Sequence, residues 1–204
     1  MIKYKMDELS YYLKHRRGYY KKTALEQILN KKIVITKKHI KNIYSKCGWI
    51  WRFNIITLFE KYGYCFTNDD YILLVSMDGN MIKYISEDNI TDKICKIAIK
   101  QYEYAFRHIP DNKKTIEICK IAIRRDIWAL EFIPNDKKTI EICKIAVRQN
   151  AWALEVVPND KKTIEICEIA VKQNKDVLRF VPSNIKIKKH YTLFQTIKNI
   201  FYKK

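Results

Sequence analysis

Four cysteines, Cys95, Cys119, Cys143 and Cys167, stand 24 residues apart, and four prolines, Pro110, Pro134, Pro158 and Pro182, keep the same interval. A fixed period of that length is the mark of like units stacked on one another, because an irregular core has no reason to repeat its spacing. In register the units read TDKICKIAIKQYEYAFRHIPDNKK, TIEICKIAIRRDIWALEFIPNDKK, TIEICKIAVRQNAWALEVVPNDKK and TIEICEIAVKQNKDVLRFVPSNIK, together filling residues 91–186. One step further back, residues 67–90 (TNDDYILLVSMDGNMIKYISEDNI) fit as a divergent copy, with Tyr71 at the cysteine position and Ser86 at the proline position.

Each unit reads as two short helices. In the third copy the first helix carries Ile140, Ile142, Cys143, Ile145, Ala146 and Val147. So wide an apolar set needs a partner on more than one side, which is the situation of a helix between neighbouring repeats. A turn at Gln149 and Asn150 leads to a second helix over residues 151–157, and Pro158 ends it by breaking the hydrogen-bond ladder. The Asn-Asp pairs that follow the prolines (Asn135 and Asp136, Asn159 and Asp160) are residue types that cap a helix N-terminus, and they are expected to cap the next first helix.

The fold class expected is therefore all-α: an α-solenoid of helix-turn-helix repeats. Residues 1–66 form a basic, aromatic-rich helical cap, residues 67–186 the array (a divergent copy at 67–90, four clear copies at 91–186), and residues 187–204 a closing helix. The string AVRQNAWALEVVP at 146–158, echoed by AVKQNKDVLRFVP at 170–182, resembles the repeat of a domain family of unknown function abundant in giant viruses of amoebae and some amoeba-associated bacteria. That family usually places glycine after the Gln-Asn pair, where this chain has Glu103, Ile127, Ala151 and Lys175. The resemblance implies the repeat fold and a viral setting; it implies no activity.

The chain carries a net charge of +18, unevenly spread. Residues 1–62 hold 15 Lys/Arg against 4 Asp/Glu, residues 63–183 hold 19 against 18, and residues 184–204 hold 6 against none. The array is thus nearly neutral between two basic ends. Thirteen of the 26 aromatic residues lie within residues 1–66, interleaved with cations as in KHRRGYYKK (14–22) and WIWRF (49–53). Cations bearing aromatics suit RNA or single strands through phosphate contact and base stacking. The same composition also suits a helical subdomain with a solvated Lys face, since Leu25, Ile28 and Leu29, and Ile40, Ile43 and Tyr44, keep helical spacing. The residues expected to touch a nucleic acid or a protein partner are Lys14, Arg16, Arg17, Lys21 and Lys22 at the front and Lys186, Lys188 and Lys189 at the back. In the tail, Leu193, Phe194, Ile197, Ile200 and Phe201 share one helical face among lysines. Such a helix covers the end of a solenoid or lies on an anionic membrane surface, and the open end of an array favours the first role.

Along the array two rows of cations recur: Lys100, Arg124, Arg148 and Lys172 at the ends of the first helices, and the pairs Lys113/Lys114, Lys137/Lys138 and Lys161/Lys162 in the turns. The helix dipole accounts for the first row, and for Glu117, Glu141 and Glu165 at the opposite ends, without a ligand. Tyr104, Trp128 and Trp152 share one repeat position, which becomes Asp176 in the last copy, and are read as inter-repeat packing residues. The cysteines are read as packing too, because equivalent atoms on stacked helices lie roughly 8–10 Å apart, beyond disulfide reach. No histidine shares their period, no glycine-rich phosphate loop can be written with Gly18, Gly48, Gly63 and Gly79, and no nucleophile motif occurs. The expectation is a protein without catalytic residues, cofactor or metal. The opening MIKYKMDELS lacks the apolar stretch of a secretory leader, and no apolar run is long enough to span a bilayer, so a cytoplasmic chain is expected.

Overall fold

The computed structural model describes residues 36–46, 55–61 and 63–187. The readings that fall on residues 1–35, 47–54, 62 and 188–204, including WIWRF (49–53) and all the candidate contact cations except Lys186, lie outside the described residues. The chain divides into two compact units, one ending at Gln101 and the other beginning at Tyr102. Among the described residues every regular element is helical, and the tandem arrangement makes this an all-α solenoid of short helices.

The first unit contains α1 (Lys37–Lys46), α2 (Ile55–Lys61), α3 (Asn68–Met77) and α4 (Asp92–Gln101), with 3-10 helices at Gly79–Tyr84 and Glu87–Asn89 between the last two. Thr67 and Asp70 start α3 with a reciprocal capping box. Asp70 is buried, yet its Oδ2 accepts from the Thr67 N–H (2.9 Å), the Thr67 hydroxyl (2.7 Å) and the Tyr64 hydroxyl (3.1 Å), so the buried carboxylate is hydrogen-bonded. Burial of the Tyr64 phenol, together with its hydrogen bond to that carboxylate, pushes it up to about 12. Phe59, Tyr64, Phe66 and Tyr71 form one aromatic cluster, the last pair stacked at 5.4 Å between centroids. Tyr71, at the cysteine position of the divergent copy, is buried there.

The second unit displays the repeat in its regular form. Its α-helices, α5 (Ile116–Arg125), α6 (Ile140–Gln149) and α7 (Ile164–Gln173), are each ten residues long and pack side by side in sequence order. Against them lies a second layer of 3-10 helices, Glu103–His108, Ile127–Phe132, Ala151–Glu155 and Lys175–Phe180, also stacked in order. The core between the layers is Ile118, Cys119, Ala122 and Ile123 with their equivalents Ile142, Cys143, Ala146, Val147 and Ile166, Cys167, Ala170, Val171, closed by Leu130, Leu154 and Val177. Small residues at the cysteine and alanine positions fit the close approach of neighbouring helices.

Two local expectations are corrected. The second helix of each unit is 3-10 rather than α: in the third copy it spans Ala151–Glu155 and stops short of Val157. Only seven residues separate Asn150 from Pro158, and the tighter i to i+3 turn is the form that so short a segment sustains. The N-caps of α5, α6 and α7 are not the Asn-Asp pairs but Thr115, Thr139 and Thr163, whose hydroxyls each accept from the N–H three residues on at 3.3 Å. The Asn-Asp pairs lie one turn earlier, inside 3-10 turns at Asn135–Lys137 and Asn159–Lys161 that Pro134 and Pro158 introduce.

One extended residue makes the turn between layers. Asn150 (φ −153) ends α6 by donating its N–H to Ala146 O and begins the next helix by accepting from the Trp152 N–H at 2.9 Å. Asp126 and Asn174 do the same in their copies. No left-handed residue is required, which is why Ile127, Ala151 and Lys175 serve where the resembling family has glycine.

Candidate interaction face

The second lysine of the first and third turn pairs bonds to the main chain of the following unit. Lys114 is buried, and its ammonium donates to Phe132 O and Asp111 Oδ1, both at 2.8 Å, while lying 5.2 Å from the Phe106 ring centroid. Lys162 donates to Phe180 O at 3.0 Å, the same step of 18 residues. Lys114 and Lys162 therefore each satisfy the carbonyl that ends the following 3-10 helix. Lys138 is equally buried, but its counterpart Val156 has turned to right-handed helical backbone, and among the described residues the ammonium has no hydrogen-bond partner. The first cation row, Lys100, Arg124, Arg148 and Lys172, is exposed in the last turns of its helices. Gln149 Nε2 donates to Arg124 O (3.2 Å), and Gln173 Nε2 donates to Val147 O (3.0 Å) and Arg148 O (3.1 Å), so each glutamine caps the carbonyl end of the helix before it.

Ion pairs cross from helix to helix at the other end. Lys120 meets Glu141 at 2.8 Å and Lys144 meets Glu165, beside an exposed row of Ile116, Ile140 and Ile164. Cys119, Cys143 and Cys167 lie beneath, free and buried. Burial pushes the Cys119 and Cys143 thiols up to about 11 and raises Cys167 as well, which keeps them protonated and removes them as nucleophiles or thiolate ligands at neutral pH. Among the described residues no three His, Cys, Asp or Glu side chains gather as metal ligands, and no helix is long and apolar enough to cross a membrane.

The outer face of the 3-10 layer is different in kind. Tyr102, Tyr104, Trp128 and Phe132 stand exposed there, Trp128 at 48% of its surface. Reading the recurring aromatic as packing is thus corrected at Tyr104 and Trp128; at Trp152, half-buried 6.1 Å from Phe180, it agrees with the structure. Two arginines lie on these rings. Arg107 sits 5.1 Å from the Tyr104 centroid and 5.0 Å from that of Phe132, and Arg179 sits 5.0 Å from Trp152 and 4.7 Å from Phe180. Arg107 and Arg179 share one repeat position, occupied by Glu131 and Glu155 in the copies between. Sequence reading passed over this position because it follows charge by row, and a row that alternates Arg, Glu, Glu, Arg sums to nothing. Lys186 is exposed beyond the last 3-10 helix.

Three overlapping stretches match one family model. Residues 91–137, 115–160 and 139–186 each match Domain of unknown function (DUF4116), in tandem over the four clear copies. No curated protein and no solved structure matches the chain. The three DUF4116 matches cover α4 to α7 and the 3-10 layer that bears the aromatic face, so every residue of that face belongs to the repeat.

Proposed function

We propose that this chain is a non-catalytic repeat scaffold that binds another protein or takes a place in a larger assembly, a viral one by its resemblance to giant-virus repeats. The observation that carries the reading is the outer face of the 3-10 layer, where a near-neutral array holds large aromatic rings in water. Monomeric proteins seldom keep such residues exposed together without a partner, and Trp, Tyr and Arg are the residues that dominate binding energy at protein interfaces. Affinity purification from the native host or virion, followed by mass spectrometry, tests it. A specific, stoichiometric partner is the expected result; recovery of the free monomer alone under gentle conditions counts against it.

A second reading rests on the basic ends, +11 over residues 1–62 and +6 over residues 184–204. In this reading Lys14, Arg16, Arg17, Lys21, Lys22, Lys186, Lys188 and Lys189 contact a nucleic acid or ribonucleoprotein in the cytoplasm. Binding through six or more cations weakens by orders of magnitude between low and moderate salt, because each phosphate contact releases about 0.7–0.9 counterion. A flat salt dependence would rule that reading out.

A further inference from the structure

The scaffold reading leaves the chemistry of the partner open, and the aromatic face narrows it. Arginine reaches the recurring aromatic ring by two routes. Arg107 lies on Tyr104 of its own copy, three residues before it; Arg179 lies on Trp152 of the copy before. For Trp128 the corresponding positions are Glu131, in its own copy, and Glu155, in the next. Both are exposed, and neither makes an ion pair among the described residues. Among the described residues Trp128 has no cation and no second ring upon it, and it is the most exposed of the large aromatic residues there. One ring of the series is therefore open, and both positions from which the protein fills the others with a guanidinium carry a carboxylate instead.

We propose, resting on the scaffold reading, that Trp128, Glu131 and Glu155 form a subsite for an arginine side chain in a basic segment of the partner protein. The ring supplies the face on which a guanidinium stacks, and the carboxylates supply the counter-charge and planar acceptors for its N–H fork. Arg107 and Arg179 are the internal precedent for the cation. The two carboxylates argue against a phosphate backbone on this stretch of the array, since they would repel it. The +18 charge of the chain repels basic peptides elsewhere, so any affinity for one arises locally.

The test is fluorescence anisotropy of a labelled peptide of alternating arginine and glycine on the full chain at about 0.15 M salt, beside the same peptide with citrulline in place of arginine. The arginine peptide is expected to bind and the citrulline peptide to bind at least tenfold more weakly. Trp128→Ala and Glu131→Gln are each expected to weaken binding about tenfold. Glu131→Arg places a guanidinium in the register of Arg107, fills the ring from within, and is expected to abolish binding with the helical circular dichroism unchanged. Equal binding by wild type and Glu131→Arg, equal binding of the citrulline peptide, or no binding at all overturns the subsite. So does a single-stranded RNA homopolymer that binds the wild type, loses affinity in Trp128→Ala and gains it in Glu131→Arg, because the ring is then a base platform. A native partner captured equally by wild type and Glu131→Arg sinks the subsite and leaves the scaffold reading standing; the free monomer alone under gentle conditions sinks the scaffold reading even where the peptide results hold.

Discussion

The buried Lys114 ammonium donates to the main-chain oxygen of Phe132, eighteen residues ahead, at 2.8 Å. The bond ties the turn after one 3-10 helix to the last carbonyl of the next, and it recurs from Lys162 to Phe180. Lys138 occupies the same position without a partner among the described residues. The two lysines should therefore respond in opposite ways to an apolar substitution of similar length. Lys114→Met strands a carbonyl and is expected to cost about 1–3 kcal/mol. Lys138→Met removes a buried, uncompensated ammonium and is expected to be neutral or stabilising. Urea unfolding of both variants gives the comparison; a larger loss for Lys138→Met would mean that its ammonium is satisfied in solution.

Asn150 serves two helices at once, closing α6 with its N–H and opening Ala151–Glu155 with its side chain. Replacing it by alanine removes only the second function and should cost about 1 kcal/mol, whereas Asn150→Asp keeps the acceptor and should cost less. Introducing glycine at Ala151, as the resembling family has it, is expected to destabilise, because no positive φ is needed beside the extended Asn150 and glycine adds chain entropy to the unfolded state. Thermal melts of the three variants rank them.

The thiol ladder gives a pH-dependent signature. Burial raises the Cys119 and Cys143 thiols from an ordinary value near 9.0 to about 11. Their folded pKa lies above the unfolded one, so the stability they contribute is fully present below pH 9 and is lost as pH rises from there through about 11. Denaturant midpoints should fall across that window, and less steeply in Cys143→Ala once its own packing loss is subtracted. At pH 8 an alkylating reagent should label exposed Cys65 quickly, and Cys119, Cys143 and Cys167 only on the timescale of unfolding. Peptide mapping by mass spectrometry reads this directly, and rapid labelling of Cys143 would show the core to be open.

The period, the helical class and the burial of the cysteine position were legible because each is a statement about spacing: residues that recur every 24 positions must meet the same environment in a stack. The caps were misread because Asn159 and Thr163 are both capping types, and only the 3-10 turn after Pro158, invisible to periodicity, decides that the threonine is the one at the helix start. Trp128 was misread for a related reason. Repetition marks a residue as belonging to the unit, but it does not say whether the side chain faces inward, and on a 3-10 helix a shift of one position changes the face. The Lys114 bond lay beyond sequence reading altogether, since a lysine in a turn is normally solvated and only the stacked neighbour supplies the carbonyl.

Charge at the ends and charge in the array separate the remaining possibilities for a nucleic acid. Arg124 and Arg148 lie exposed in the last turns of α5 and α6, where they face the carbonyl ends of their helices and complement the dipole. If RNA or DNA binds this chain through its termini, neutralising Lys14, Arg16, Arg17, Lys21 and Lys22 should remove most of the affinity and flatten its salt dependence, since every lost phosphate contact reduces the logarithmic slope by about 0.7–0.9. Neutralising Lys186, Lys188 and Lys189 should have a smaller effect in the same direction, in proportion to the fewer cations removed. Arg124→Gln with Arg148→Gln should leave both affinity and slope unchanged, at the expense of a few tenths of a kcal/mol in helix stability. Electrophoretic mobility shifts with a single-stranded RNA between low and moderate salt measure all three sets. Loss of binding in the array pair with retention in the terminal set would place the nucleic acid along the helix ends, where the sequence and the fold together put only capping charges.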